Sequence, residues 1–187
     1  VIDVGNSTTT EVTGLTQGRA YYFTVSAYNS EGLKSPPSEE ISYTPLDVVT
    51  GTSKVHYVDS EDPNGYSAEY AFDGDPKTFW HTERRTNAPP PPHELQIDLG
   101  VVQNLRGFRY LPRQDTYKDG DISEYEFYVS DDGIQWNDPV ASGFFPDSKA
   151  EKEVIFPPKR GRYVRLVALS DVLGSPVANV AELTLLQ

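Results

Sequence analysis

Fourteen glycines and fifteen prolines are spread through the 187 residues, and they leave no uninterrupted apolar stripe of helical period as long as three turns. Short strands separated by turns are what such punctuation permits, so the expected architecture is all-β. No apolar run approaches the roughly 18 to 20 residues that a membrane-spanning helix needs. Cysteine and methionine are both absent, which removes a disulfide framework, a thiolate nucleophile and a thiolate zinc site. With 28 acidic against 16 basic residues, a net charge of -12 disfavours nucleic-acid phosphates and anionic lipid surfaces. A neutral ligand or a cation fits better.

The pattern changes at Pro45-Leu46-Asp47, so the expected organisation is a first segment over 1–45, a linker over 46–53 and a second domain over 54–187. In the first segment Tyr21, Phe23, Val25 and Ala27 alternate with Tyr22, Thr24, Ser26 and Tyr28, the signature of a half-buried antiparallel strand. With Val12–Gly18 before it and Asn29–Ser38 after it, the order resembles the second half of a fibronectin type III domain. That resemblance implies a partial β-sandwich serving as a spacer. Val1 opens inside a strand-like pattern, so a piece of a longer protein is expected.

The second segment carries strand candidates at 94–100, 107–111, 125–129, 153–156, 162–169 and 181–186. Polar turns such as Asp131-Asp132-Gly133 separate them. Together they predict an antiparallel β-sandwich or jelly roll. Phe79, Trp80 and Trp136 read as core aromatics beside strand ends, and His93, after four prolines, as a loop-positioning residue.

The densest constellation is the run 71–81, Ala-Phe-Asp-Gly-Asp-Pro-Lys-Thr-Phe-Trp-His. Asp73, Asp75 and Thr78 offer hard oxygens close together while Gly74 allows a sharp bend, as a calcium loop requires. An Asp-Gly-Asp-Pro run is equally an ordinary turn, and spacing alone leaves both readings open.

Taken with Pro91–Leu95, Gly107–Asp115, Pro139–Gly143 and Arg162–Leu169, this run resembles the discoidin, or coagulation factor 5/8 C-terminal, superfamily. More narrowly it resembles carbohydrate-binding module family 32. The resemblance implies a structural calcium ion held by the Tyr70 carbonyl, Asp73, Asp75, Thr78, the Ala181 carbonyl and Glu182. It also implies a galactose-type site in which His81 and Arg113 grip sugar hydroxyls, with Asn64 at the family's third, acidic position and Asp62 nearby. Where sialidase-type members place an aromatic three residues after the histidine, this chain has Arg84, so Tyr66 and Tyr117 are the stacking candidates.

The implied function is a non-catalytic carbohydrate-binding module, covalently linked to a secreted or cell-surface glycan-active enzyme, bacterial by resemblance. The alternative is a calcium-stabilised structural or adhesion domain without a sugar site. Nucleic acid and membrane are not expected partners.

Overall fold

The computed structural model describes residues 1–86 and 88–187. The chain divides into two compact units, Val1–Asp47 and Val48–Gln187. Among the described residues, no helix is long and apolar enough to cross a membrane.

In the first unit, β1 (Tyr21–Phe23) pairs antiparallel with β2 (Ile41–Tyr43). The expected strand over 21–29 is shorter than its alternating pattern suggested. Beyond Phe23 the amides of Val25 and Ala27 turn to the Ser38 and Ser35 hydroxyls, while the Ser38 and Ser35 amides return to the Val25 and Ala27 carbonyls. Side-chain oxygens thus stand in for backbone acceptors, which ends the regular ladder. Val25 is 73% exposed, so the half-buried face stops at Phe23.

The second unit begins on the segment 46–53 expected as a linker. Val48 bridges Leu186 and the Val49 amide donates to the Leu185 carbonyl, so this stretch lies along the last strand. The remaining elements are β3 (Lys54–Val58), a short 3-10 helix (Ala68–Phe72), β4 (Trp80–His81), β5 (His93–Leu111), β6 (Glu124–Ser130), β7 (Ala141–Phe144), β8 (Lys152–Ala168), β9 (Asn179–Val180) and β10 (Glu182–Leu186).

The candidates at 94–100 and 107–111 are one strand, β5, and those at 153–156 and 162–169 are one strand, β8. The two run antiparallel along each other, with register shifts between Asp98 and Gln103 and between Leu105 and Gly107. Gly100, at φ +77, turns the chain at the first shift. Pro157 and Pro158 fall in the second, opposite Arg106, where the ladder asks no amide of them. The breaks divide the sheet into two halves. β3 and β6 flank the half built on 93–98 and 164–168, while β10 flanks the half built on 107–111.

The halves face each other across the core. Phe127 of β6 stacks on Phe108 of β5 with ring centres 4.2 Å apart, and Phe145 stacks on Tyr125 at 4.1 Å. Such pairs add about 0.5–1.5 kcal/mol each beyond the apolar area they bury. Trp80 is buried as expected and its indole N–H donates to the Ser60 carbonyl. Trp136 departs from the expectation: it is half-buried and lies against the Arg165 guanidinium, 4.9 Å from its ring centre. At the bend Arg162 grips Asp98 with two bonds of 2.7 and 2.8 Å, while the Gly100 amide donates to the same carboxylate. This holds the Asp98 carboxyl at about 2.

Candidate functional site

The site grows from a two-stranded ladder of four residues, in which Trp80 faces Val180 and His81 faces Asn179. The loop 62–66 is tied to β4 from the other side, because the Asp62 amide donates to the His81 carbonyl and the His81 amide to the Tyr66 carbonyl. His81 is therefore fixed along its backbone on two sides, and its side chain is fully buried. Nδ1 lies 2.7 Å from the Thr82 carbonyl, which can only accept, so the proton sits on Nδ1. Nε2 is left as a lone-pair acceptor. It is buried and has no hydrogen-bond partner among the described residues.

Opposite that nitrogen stands Asp119, with Oδ2 at 3.5 Å from His81 Nε2 and the same distance from an Arg84 amino nitrogen. Arg113 closes the ring of charges. It donates to both oxygens of Asp115 at 2.8 and 2.7 Å and to Asp119 Oδ1 at 3.2 Å. Its guanidinium lies between Phe79 and Tyr117, at 4.6 and 5.4 Å from their ring centres. Burial pushes the His81 imidazole below its ordinary value, and Arg84 and Arg113 reinforce the shift, so the ring is neutral at pH 7. Burial alone would raise Asp115, but the Arg113 guanidinium outweighs it and holds that carboxyl low. A neutral acceptor, a carboxylate and two guanidinium forks on one rim suit a ligand whose hydroxyls both donate and accept.

Of the residues expected at the sugar site, His81 and Arg113 are brought together through Asp119. Tyr66 lies 6.2 Å from the His81 ring and carries Arg84 over its own ring at 5.1 Å. Tyr117 is 66% exposed and backs onto Arg113, which leaves a broad apolar face outward. Asn64 lies at this end of the fold, but its side-chain amide is turned to Asp62 Oδ1 at 2.6 Å. Asp62 is itself buried, with its other oxygen on Arg84 at 3.2 Å. Burial opposes its ionisation, yet Asn64 and Arg84 together hold its carboxyl low. Asp119 and Asn179 escaped the sequence reading. The signal for Asp119 was the acidic run after Arg113, where Asp115 and Asp119 lie within reach of one guanidinium.

The second set of oxygens lies next to the same ladder. In the turn 73–78 the Thr78 hydroxyl lies 2.8 Å from Asp73 Oδ2 and 2.9 Å from the Asp75 carbonyl, two acceptors that share its one proton. Asp75 Oδ1 accepts the Lys77 amide at 3.0 Å, so it is the Asp75 carbonyl that meets Thr78. Glu182, on β10, brings a carboxylate to Asp73 from the far end of the sequence. Its Oε1 is buried without a partner among the described residues. Burial pushes this carboxyl up to about 7, with Asp73 adding repulsion. The described residues gather no cluster of three or more His, Cys, Asp or Glu side chains fit to hold a metal. A cation here would rest on two carboxylates with hydroxyl and carbonyl oxygens, a donor set that calcium accepts. The expected ligand Ala181 is fully buried and its amide donates to the Leu111 carbonyl, and Tyr70 lies in the 3-10 helix.

Comparison with known proteins finds relatives by sequence and by fold. A sialidase from Micromonospora viridifaciens is 44% identical over 117 residues, covering 62% of this chain and 18% of the relative. A galactose oxidase from Gibberella zeae is 41% identical over 125 residues, covering 66% of this chain and 18% of the relative. The chain thus spans less than a fifth of the length of these relatives. Among solved structures, the Clostridium perfringens module CpGH89CBM32-5, in complex with GalNAc-β-1,3-galactose, superposes with a TM-score of 0.66 at 33% identity, covering 72% of this chain and 95% of the module. The family 32 carbohydrate-binding module of C. perfringens NanJ, in complex with galactose, gives a TM-score of 0.63 at 26% identity, covering 72% of this chain and 93% of that one. With residues 51–183 matching the F5/8 type C domain model, and the sandwich to go with it, the chain belongs to the F5/8 type C family.

Proposed function

We propose that residues 48–187 bind galactose-type sugars at the rim formed by His81, Arg113, Asp119 and Tyr117. The observation that carries this reading is the buried, unpartnered His81 Nε2, set 3.5 Å from the Asp119 carboxylate. Two acceptors face one another there with no donor between them. A sugar hydroxyl supplies the donor, and the arginines donate to the neighbouring oxygens. Tyr117 offers its exposed face to the apolar side of the pyranose. The galactose-bound NanJ module and the GalNAc-β-1,3-galactose-bound module support the choice of sugar class.

Calcium is the proposed structural ion, held by Asp73, Thr78, Glu182 and the carbonyls of Tyr70, Asp75 and Ala181. Its support is the orphan Glu182 oxygen beside Asp73. The reading assigns no reaction to these residues. The module would tether a secreted or surface glycan-active enzyme to its substrate, raising local concentration even where each contact is weak. We read residues 1–45 as the end of a fibronectin type III spacer, on the pairing of β1 with β2.

The test is an NMR titration with galactose, N-acetylgalactosamine, lactose and, as the C4 epimer, glucose. Shifts at His81, Arg113 and Asp119 with the first three, absent in a His81→Ala variant, are expected. No shifts at millimolar sugar would refute the reading. The second reading, an adhesion domain without a sugar site, is favoured by one observation: Arg84 already covers Tyr66 and engages Asp62. A blank glycan array together with calcium-dependent thermal stability would establish it instead.

A further inference from the structure

Asn179 is fully buried and lies directly across the ladder from His81. Its side chain holds three other points of the site. Oδ1 accepts the Arg113 amide at 3.0 Å, while Nδ2 donates to the Asp119 carbonyl at 2.9 Å and to Asp121 Oδ1 at 3.0 Å. Its backbone adds two more ties, donating to the Gly120 carbonyl at 2.7 Å and accepting from the Tyr110 hydroxyl at 3.2 Å. Gly120 has φ +84, and a Cβ there would stand 2.9 Å from the Ala178 carbonyl carbon, so the 119–121 turn can come this close only with glycine.

One acceptor and two donors are all used, each on a different partner, and only an asparagine places them so. Aspartate would set an oxygen against the Asp119 carbonyl and the Asp121 carboxylate. Glutamine would move the amide by a methylene. We propose that Asn179 is a positioning residue for the sugar site: it sets Arg113 and the Asp119–Gly120 turn in register with His81 and does not itself touch the ligand. The inference rests on the sugar-binding reading above. Its physical basis is that a fully satisfied buried network admits one arrangement, so the donors and acceptors at the rim are pre-set before the sugar arrives.

The experiment compares galactose titrations of the wild type, Asn179→Asp, Asn179→Ala and Leu105→Ala. Leu105 is fully buried on β5, next to the register break and outside the site, and its variant serves as a stability control. Both Asn179 variants are expected to weaken galactose tenfold or more, while Leu105→Ala melts earlier and binds as the wild type does. Hydrogen exchange supplies a second signature. The Arg113 amide should stay protected in Asn179→Asp, which keeps an acceptor for it, and lose protection in Asn179→Ala. Unchanged affinity in either Asn179 variant, or equal weakening in Leu105→Ala, would overturn the proposal. Should Asn179→Ala fail to fold, the aspartate variant carries the affinity comparison. If the wild type itself takes up no galactose, the sugar reading fails on its own. Positioning is then decided by exchange: retained Arg113 protection in Asn179→Ala refutes it, and loss there with retention in Asn179→Asp supports it.

Discussion

Arg84 lies across the ring of Tyr66, its guanidinium carbon 5.1 Å from the ring centre. The same guanidinium bonds buried Asp62 at 3.2 Å and faces Asp119 at 3.5 Å. It therefore occupies an apolar face and shares a carboxylate of the proposed sugar site. Replacing it by an aromatic should restore a stacking surface and release Asp119. For Arg84→Trp we expect galactose affinity to rise roughly 2- to 10-fold, the equivalent of about 0.5–1.5 kcal/mol of aromatic contact. The melting temperature should fall, because Asp62 loses its cation. Calorimetric titration beside thermal melting checks both directions, and weaker binding would show that Arg84 itself holds the sugar.

The calcium proposed at the 73–78 turn gives a prediction that does not depend on any sugar. Adding calcium at a hundred times its dissociation constant should stabilise the fold by about 2.7 kcal/mol, and chelation should reverse the shift. Glu182→Gln should abolish this response and raise the calcium-free melting temperature at pH 7 and above, because it removes a buried carboxylate that burial and Asp73 disfavour. Thr78 and Glu182 lie next to the β4–β9 ladder, so calcium should also tighten the sugar site, and sugar should tighten calcium by the same factor. A calcium titration monitored by melting, with and without galactose, measures the response and the coupling together.

Legibility in the sequence followed the range of the interactions. The 73–78 turn is local: Asp73, Asp75 and Thr78 are close enough in sequence that one glance at 73–78 collects them. His81 and Arg113 could be named only by resemblance, because nothing in the chain between them says that they meet. Asp119 was missed although it joins them, since an aspartate in an acidic loop has no periodicity to mark it. The long strands failed for the opposite reason. Gly100 and the Pro157-Pro158 pair read as breaks, yet the ladder passes both by shifting register, so four expected strands became two. Asn179 lay beyond any local pattern, because its side-chain partners are 58 to 66 residues away.

The bend between the two sheet halves should be the acid-sensitive point of the sandwich. The Arg162 guanidinium and the Gly100 amide lower the Asp98 carboxyl from 3.8 to about 2. A carboxyl held lower in the folded state contributes stability above its unfolded value and loses it as pH falls through its folded one. Asp98 should thus contribute roughly 2 kcal/mol at pH 7, all of it present above about pH 4 and fading toward pH 2. Urea denaturation of wild type and Asp98→Asn at pH 7 and near pH 2 checks this. The gap should open at neutral pH and close in acid.

His93 predicts the opposite dependence. Its Nδ1 lies 2.8 Å from an Asp59 carboxylate oxygen and its Nε2 3.1 Å from the Pro176 carbonyl, so both nitrogens face acceptors and the imidazolium satisfies both. Burial opposes the charge, but Asp59 and Pro176 outweigh it and raise the imidazole above its ordinary value. A base with a raised folded-state value contributes stability that is fully present below its unfolded value, about 6.5, and lost as pH climbs through the folded one. The difference in melting temperature between wild type and His93→Gln should therefore be largest below about pH 6.5 and shrink as the pH climbs through the raised folded value. His81, buried neutral, works in the reverse sense, but it is present in both proteins and cancels from the difference. A difference that stays constant across this range would mean that His93 joins its loops as a neutral ring.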